Sequence, residues 1–282
     1  MTPPLVSVGA GGDPGGCDGV STKELFGFRF ISETSVEAIV DRLLAPQPDD
    51  GLLPLVVTPN VDYIVRLEEP NLAPLRTELE RSRWVLPDGQ PIIWASRAGG
   101  HPLGARLPGS AVFPLLWRAI VAQRRRTVAV VAAETTGARL KGELPDLGVV
   151  VAPMFDESDE AQLSAVVKLC WEVVQEVVPE FVFIGISFPK QQRLALALID
   201  LAGEHDQAPP LFLTFGAAFE MYLGLHRRAP HWVQKAGLEW LFRFALEPKR
   251  LFRRYFVTDV RFLPMMCREV RHLRRGRSRR PI

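Results

Sequence analysis

From about Leu25 onward, short apolar runs alternate with stretches in which apolar side chains return every three or four residues. The runs Leu55–Thr58, Trp84–Leu86, Val128–Ala132, Val149–Ala152, Phe181–Ile186 and Leu211–Phe215 are rich in Val, Ile and Phe, which predicts strands. The clearest helical pattern covers Ser158–Val178, where Leu163, Val166, Val167, Cys170, Val174 and Val177 share one face. Asp159 and Glu160 favour the positive end of that helix dipole, and Pro179 ends it because its ring and missing N–H cannot continue the turn. Strands alternating with helices of this length need crossover connections. The expected fold is therefore α/β: a Rossmann-like, mainly parallel sheet with helices on both faces. In such a fold the ligand lies outside the carboxyl ends of the strands, so chemistry is sought in the loops that follow them.

The pattern changes at both ends. Residues 1–22 are rich in glycine and poor in large apolar groups, as in a disordered leader. Past Arg228 three helical patterns, Pro230–Ala245, Pro248–Val257 and Arg261–Arg274, follow without a strand between them. The chain thus divides into a leader (1–22), an α/β body (23–229) and a C-terminal basic helical appendage (230–282) expected to associate with membrane.

Charge sharpens that division. The near-neutral balance of 34 basic and 32 acidic residues hides 13 basic against 3 acidic side chains in residues 243–282, a net of +10, and a net of −8 in the remainder. Such asymmetry points to an anionic partner at one end. A composition 47% apolar and 23% charged excludes disorder for most of the chain. Cys17, Cys170 and Cys267 lie far apart without metal-ligand spacing, so neither a disulfide framework nor a structural zinc site is expected, and no metal is assigned. No window reaches the ~18 uninterrupted apolar residues of a membrane span. The N-terminus lacks the basic and apolar regions of a secretory signal, so a cytoplasmic protein, soluble or peripheral on the inner face of the membrane, is expected.

Among the loops, Thr58-Pro59-Asn60 follows the first core strand and Pro87-Asp88-Gly89 the second. No G-x-G-x-x-G follows a strand and no Walker loop occurs, which removes most support for a dinucleotide dehydrogenase or a P-loop NTPase. Taken singly, each loop has an ordinary explanation. Asp88 in Pro-Asp-Gly reads first as a turn or N-cap aspartate. Thr58 and Asn60 suit caps for a helix beginning near Val61, and Ser110 suits an N-cap for Ala111–Gln123. Lys190 and Gln191 read either as a solvated helix start or as a cation and an amide beside a phosphate or sugar hydroxyl. The five histidines show no ligand spacing and carry no assigned role.

Taken together, the loops form a series. Thr58-Pro59-Asn60, Leu86-Pro87-Asp88-Gly89, Arg106 with Gly109, Pro189-Lys190-Gln191, Gly216-Ala217-Ala218-Phe219 and Arg228-Ala229-Pro230 are followed by Gly237-Leu238-Glu239-Trp240-Leu241, Glu247-Pro248 and Arg250-Leu251-Phe252-Arg253. In order and spacing this series resembles the WecG/TagA/CpsF glycosyltransferase family, over roughly Phe26 to Leu263.

The resemblance implies an inverting, metal-independent hexosyltransferase without a cofactor. It would move a hexose or N-acetylhexosamine, including a uronic acid form, from a UDP-sugar donor to a polyprenyl-diphosphate-linked sugar acceptor in cell-surface polysaccharide biosynthesis. Asp88 is then the candidate general base. Thr58, Asn60, Lys190 and Gln191 would surround donor and acceptor hydroxyls near Gly109, and Arg106 would meet a diphosphate with its planar fork. Arg243, Arg250 and Arg253, spaced seven and three apart, would close over the diphosphates. Arg268–Arg280, with Phe262, Leu263, Met265 and Met266, would hold the anionic membrane surface. An ordinary solvated arginine face packed by apolar residues on its other side is the alternative for the tail.

Four positions depart from the family pattern: Ala111 replaces an acidic residue, Gln192 a glutamate and Glu220 an aspartate, and Ala132-Ala133-Glu134 stands at a usually Gly-rich turn. An altered donor sugar is the expectation, a degenerate paralogue the alternative. The competing functions are a non-catalytic membrane- or nucleic-acid-binding scaffold and a nucleotide-sugar hydrolase. The apolar groups among the arginines favour a membrane over a nucleic-acid partner. Homo-oligomerisation is left open.

Overall fold

A computed structural model describes residues 20–205, 207–225 and 258–276, together with residues 241, 242, 245 and 252. Eight strands form one sheet in the order β1-β2-β4-β3-β8-β7-β5-β6. They are β1 (Thr22–Leu25), β2 (Phe28–Ile31), β3 (Leu53–Val57), β4 (Ser82–Val85), β5 (Thr127–Val131), β6 (Gly148–Val151), β7 (Phe181–Gly185) and β8 (Leu211–Thr214). Only β1 runs antiparallel to its neighbour, and every other pairing is parallel. The expected mainly parallel α/β sheet is therefore present. All six predicted strands occur, with ends shifted by no more than three residues.

The hairpin β1–β2 was not anticipated. Thr22, assigned above to the leader, pairs with Ile31 and begins the edge strand. The turn between the two strands is Phe26-Gly27, both at positive φ (53° and 84°).

The helices are α1 (Val36–Leu44), α2 (Val61–Arg66), α3 (Ala73–Leu79), α4 (Gln90–Ala98), α5 (Gly109–Gln123), α6 (Glu134–Glu143), α7 (Glu160–Val177), α8 (Lys190–Glu204), α9 (Ala218–Tyr222) and α10 (Phe262–Arg274). Alternation along each strand supplies two cores. Val128, Val130, Val182 and Ile184 face α7 and α8 on one side, while Ala129, Val131, Phe181 and Phe183 face α5 and α6 on the other. Asp159 caps α7 by accepting from the amides of Ala161 and Gln162, and Val178 in the left-handed region closes that helix just before Pro179.

The predicted helices at Pro230–Ala245 and Pro248–Val257 lie mainly outside the described residues, whereas the third is α10. Its apolar side faces the protein. Phe262 is buried against Phe26 at 5.2 Å between ring centres, and Met265, Met266 and Leu273 pack on the same core. Buried Glu269 accepts from the Phe26 amide at 2.8 Å, and Arg274 Nε donates to Ala98 O at 2.8 Å. Of the four apolar residues expected at the membrane, only Leu263 is exposed. The packed arginine helix is thus the arrangement found for α10, because its apolar stripe meets the hairpin turn and the helices α2 and α4. Arg268, Arg271, Arg274 and Arg275 face outward.

Candidate active site

A cleft of about 760 Å³ crosses the carboxyl ends of β3 to β8. Each of those six strands contributes its following loop: Thr58 and Asn60, Asp88, Ala132, Ala152–Phe155, Ile186–Phe188, and Phe215–Ala218. Within this edge β5 connects outward to β6 while β7 connects inward to β8, and this reversal opens the crevice.

Backbone bonds stitch the first loops together. Leu86 N donates to Val57 O (2.9 Å), Asp88 N to Pro59 O (3.1 Å) and Leu107 N to Pro87 O (2.8 Å). Asp88 is thereby held beside the start of α2, half-buried on the cleft wall. It is not the cap of α4: Gly89 occupies that position at φ 109°, a backbone that side chains rarely adopt. Asn60 does cap α2, its Oδ1 accepting from Tyr63 N at 3.0 Å.

The expected cap at Ser110 is not made. Helix α5 begins two residues earlier than expected, at Gly109, entered from Pro108, whose fixed φ of −68° suits the approach. Ser110 lies in the first turn and lines the cleft. Gly109 is confined by Phe215, since a Cβ there would come within 3.1 Å of that ring.

Lys190 and Gln191 reach the cleft but are engaged by the protein. Lys190 Nζ donates to Phe155 O, lies 3.8 Å from the Glu157 carboxylate and 4.8 Å from the centre of the Phe155 ring. Gln191 Oε1 accepts from Gly216 N at 3.0 Å. In the same 153–159 loop, Asp156 is held below the usual carboxylate range, first by the Ser158 hydroxyl and then by the Ser158 amide, with a smaller contribution from Lys190.

Of the residues expected at the site, Thr58, Asn60, Asp88, Gly109, Lys190 and Gln191 line this one cleft. Arg106 does not: it is half-buried in the loop that Leu107 ties to Pro87. Arg243, Arg250 and Arg253 lie outside the described residues. The cleft adds groups that sequence reasoning passed over, namely Asp62, Tyr63 and Arg66 on α2. Arg66 lies 4.7 Å over the Phe188 ring and donates to Phe188 O at 3.2 Å. Burial pushes the Tyr63 hydroxyl well above its ordinary pKa, so it stays protonated. Among the described residues no cluster of His, Cys, Asp or Glu gathers where it could hold a metal ion, and no helix is long and apolar enough to cross a membrane.

A doubly wound, mainly parallel sheet with a cleft of mixed polar and apolar lining across six strand ends defines an α/β protein of the kind that binds its ligand through the loops after the strands. More particularly, the chain belongs to the WecG/TagA/CpsF glycosyl transferase family, whose pattern it matches over residues 23–276. It is similar to the N-acetylglucosaminyldiphosphoundecaprenol N-acetyl-beta-D-mannosaminyltransferase of Staphylococcus aureus strain NCTC 8325, at 21% identity over 236 residues, covering 82% of this chain and 87% of the relative. The protein of the same name from strain MRSA252 is 22% identical over 237 residues, with the same coverage.

Proposed function

We propose that this glycosyltransferase moves an N-acetylhexosamine or related hexose from a UDP-sugar to a polyprenyl-diphosphate-linked sugar, with inversion and without a metal, in cell-surface polysaccharide synthesis. The name of the staphylococcal relatives supports N-acetylmannosamine as the first sugar to test and N-acetylglucosamine on undecaprenyl diphosphate as the first acceptor. The observation that carries the reading is the gathering of Thr58, Asn60, Asp88, Gly109, Lys190 and Gln191 around one cleft at the strand ends.

In this reading Asp88 removes the proton from the acceptor hydroxyl as its oxygen attacks the anomeric carbon. The bond from that carbon to the diphosphate breaks on the opposite side, and its electron pair leaves on UDP. Fixed cations and dipoles must stabilise the departing diphosphate. Arg66 and Lys190 stand on the described cleft wall, and Arg106, Arg243, Arg250 and Arg253 are supplied by the resemblance. Thr58 and Asn60 orient hydroxyls near Asp88.

The acceptor lipid brings the enzyme to the inner face of the membrane, where the outward arginines of α10 meet anionic headgroups, each contributing about 1 kcal/mol. Binding is then largely electrostatic, because most of the apolar side of α10 is used within the protein.

The test combines UDP-N-acetylmannosamine with the lipid-linked N-acetylglucosamine acceptor and follows disaccharide formation, with and without chelator. Acceptor-dependent transfer of inverted configuration, unaffected by chelation, is expected. Release of free sugar without acceptor dependence would instead identify a hydrolase. Anionic vesicles should bind the protein in preference to duplex nucleic acid at matched salt; the reverse order contradicts the membrane reading.

A further inference from the structure

The Lys190-Gln191-Gln192 turn that opens α8 sends three polar side chains to the cleft wall. Two are engaged by the protein, Lys190 at Phe155 O and Gln191 at Gly216 N. The third is different. Gln192 is 1% exposed, and its Oε1 meets no hydrogen-bond partner among the described residues. A buried amide oxygen left unpaired is destabilising, and such groups in folded proteins normally find a partner. The residue lines the cleft wall but the oxygen itself is buried, so a ligand in the cleft becomes its partner when the carboxamide turns over.

The chemistry of that ligand group follows from the side chain. A carboxamide offers one acceptor and one donor, and turning it over presents the same pair in the opposite order. It has no charge with which to hold a phosphate. Its complement is a neutral group with an N–H or O–H to donate. A UDP-sugar carries three kinds: the imide N–H of uracil, the ribose hydroxyls, and the hydroxyl or acetamido groups of the hexose.

We infer that Gln192 is a specificity-determining residue of the donor site, its carboxamide accepting a hydrogen bond from a neutral N–H or O–H of the bound UDP-sugar. This rests on the glycosyltransferase reading above. The test is calorimetric titration of the full chain and of Gln192→Met with UDP, UDP-N-acetylmannosamine, UDP-N-acetylglucosamine and UDP-glucose, together with the melting temperature of each protein without ligand. Methionine keeps the volume and removes the acceptor. Gln192→Ala serves as a second variant should methionine disturb the core.

Binding of at least one UDP-sugar should weaken about tenfold, the loss of one neutral hydrogen bond. The ligand-free melting temperature should hold or rise, because an unpaired buried acceptor has been removed. If UDP weakens equally, the group read lies on the uridine; if UDP binds as before and only the UDP-sugars weaken, it is the hexose. Parental affinity for every ligand overturns the assignment, as does a lowered melting temperature that accounts for the loss as unfolding. A parent protein that binds none of the four overturns the glycosyltransferase reading itself.

Discussion

The docking of α10 turns on Phe262, and truncating that side chain should have a large, specific effect. Phe262 is 2% exposed and its ring sits 5.2 Å from that of Phe26. Phenylalanine-to-alanine changes at such sites cost about 3–5 kcal/mol; because α10 lies on the surface and can settle into part of the space, about 3 kcal/mol is expected. Glu269→Ala removes the carboxylate that accepts from the buried Phe26 amide, leaving that N–H unpaired, and should cost about 1.5–3 kcal/mol. Both act on the same turn, so the double variant should cost less than the sum. Leu263, the next residue along but exposed, is the control, and its truncation should stay within about 0.5 kcal/mol of the parent. Urea unfolding followed by tryptophan fluorescence measures all four. The Phe262, Glu269 and double variants, but not Leu263→Ala, should lose transferase activity, since α10 packs on α2 and α4, which begin at the loops carrying Asn60 and Asp88. A Phe262→Ala protein as stable as the parent, or no more affected than Leu263→Ala, refutes the docking argument.

Two further outcomes can be measured on the same proteins. Asn60→Ala should lose about 1 kcal/mol from the missing cap on α2, while Asn60→Asp, which keeps an acceptor for Tyr63 N, should recover it; equal instability of the two in urea would contradict the capping role. Burial pushes the Cys170 thiol from its ordinary 9.0 up to about 12, so the folded state holds a proton that the unfolded chain releases. Stability is therefore full below pH 9 and should fall as pH rises toward 12, with Tyr63 acting in the same direction at the upper end. Cys170→Ala should flatten that alkaline slope, and an unchanged slope would show that the thiol is not its source.

Strands such as Phe181–Gly185 could be read from sequence because burial on both faces demands continuous apolar residues. The hairpin β1–β2 could not, since Lys23, Glu24 and Arg29 break its runs, and only Phe26-Gly27 between alternating apolar positions hinted at a turn. In α10, periodicity identified which residues share a face but not what that face meets. Phe262, Met265 and Met266 suit lipid or protein equally, and the partner of Glu269 lies 243 residues away. The same limit applied at the site. Thr58, Asn60 and Asp88 follow strands and so had to gather at one edge. Arg66 closes α2, where an arginine looks like any solvated helix end. Whether Lys190, Gln191 or Gln192 retains a polar atom for ligand depends on Phe155 and Gly216, which come from other loops.

In the proposed glycosyl transfer the carboxylate of Asp88 removes the proton from the acceptor hydroxyl. The direct measurement is the rate at which Asp88→Asn, shown by urea unfolding to be as stable as the parent, transfers sugar from a UDP-sugar to the lipid diphosphate acceptor. Asparagine keeps the shape and removes the base, so kcat should fall by about 10²-fold or more while UDP-sugar binding is retained. Transfer at the parental rate would contradict the account.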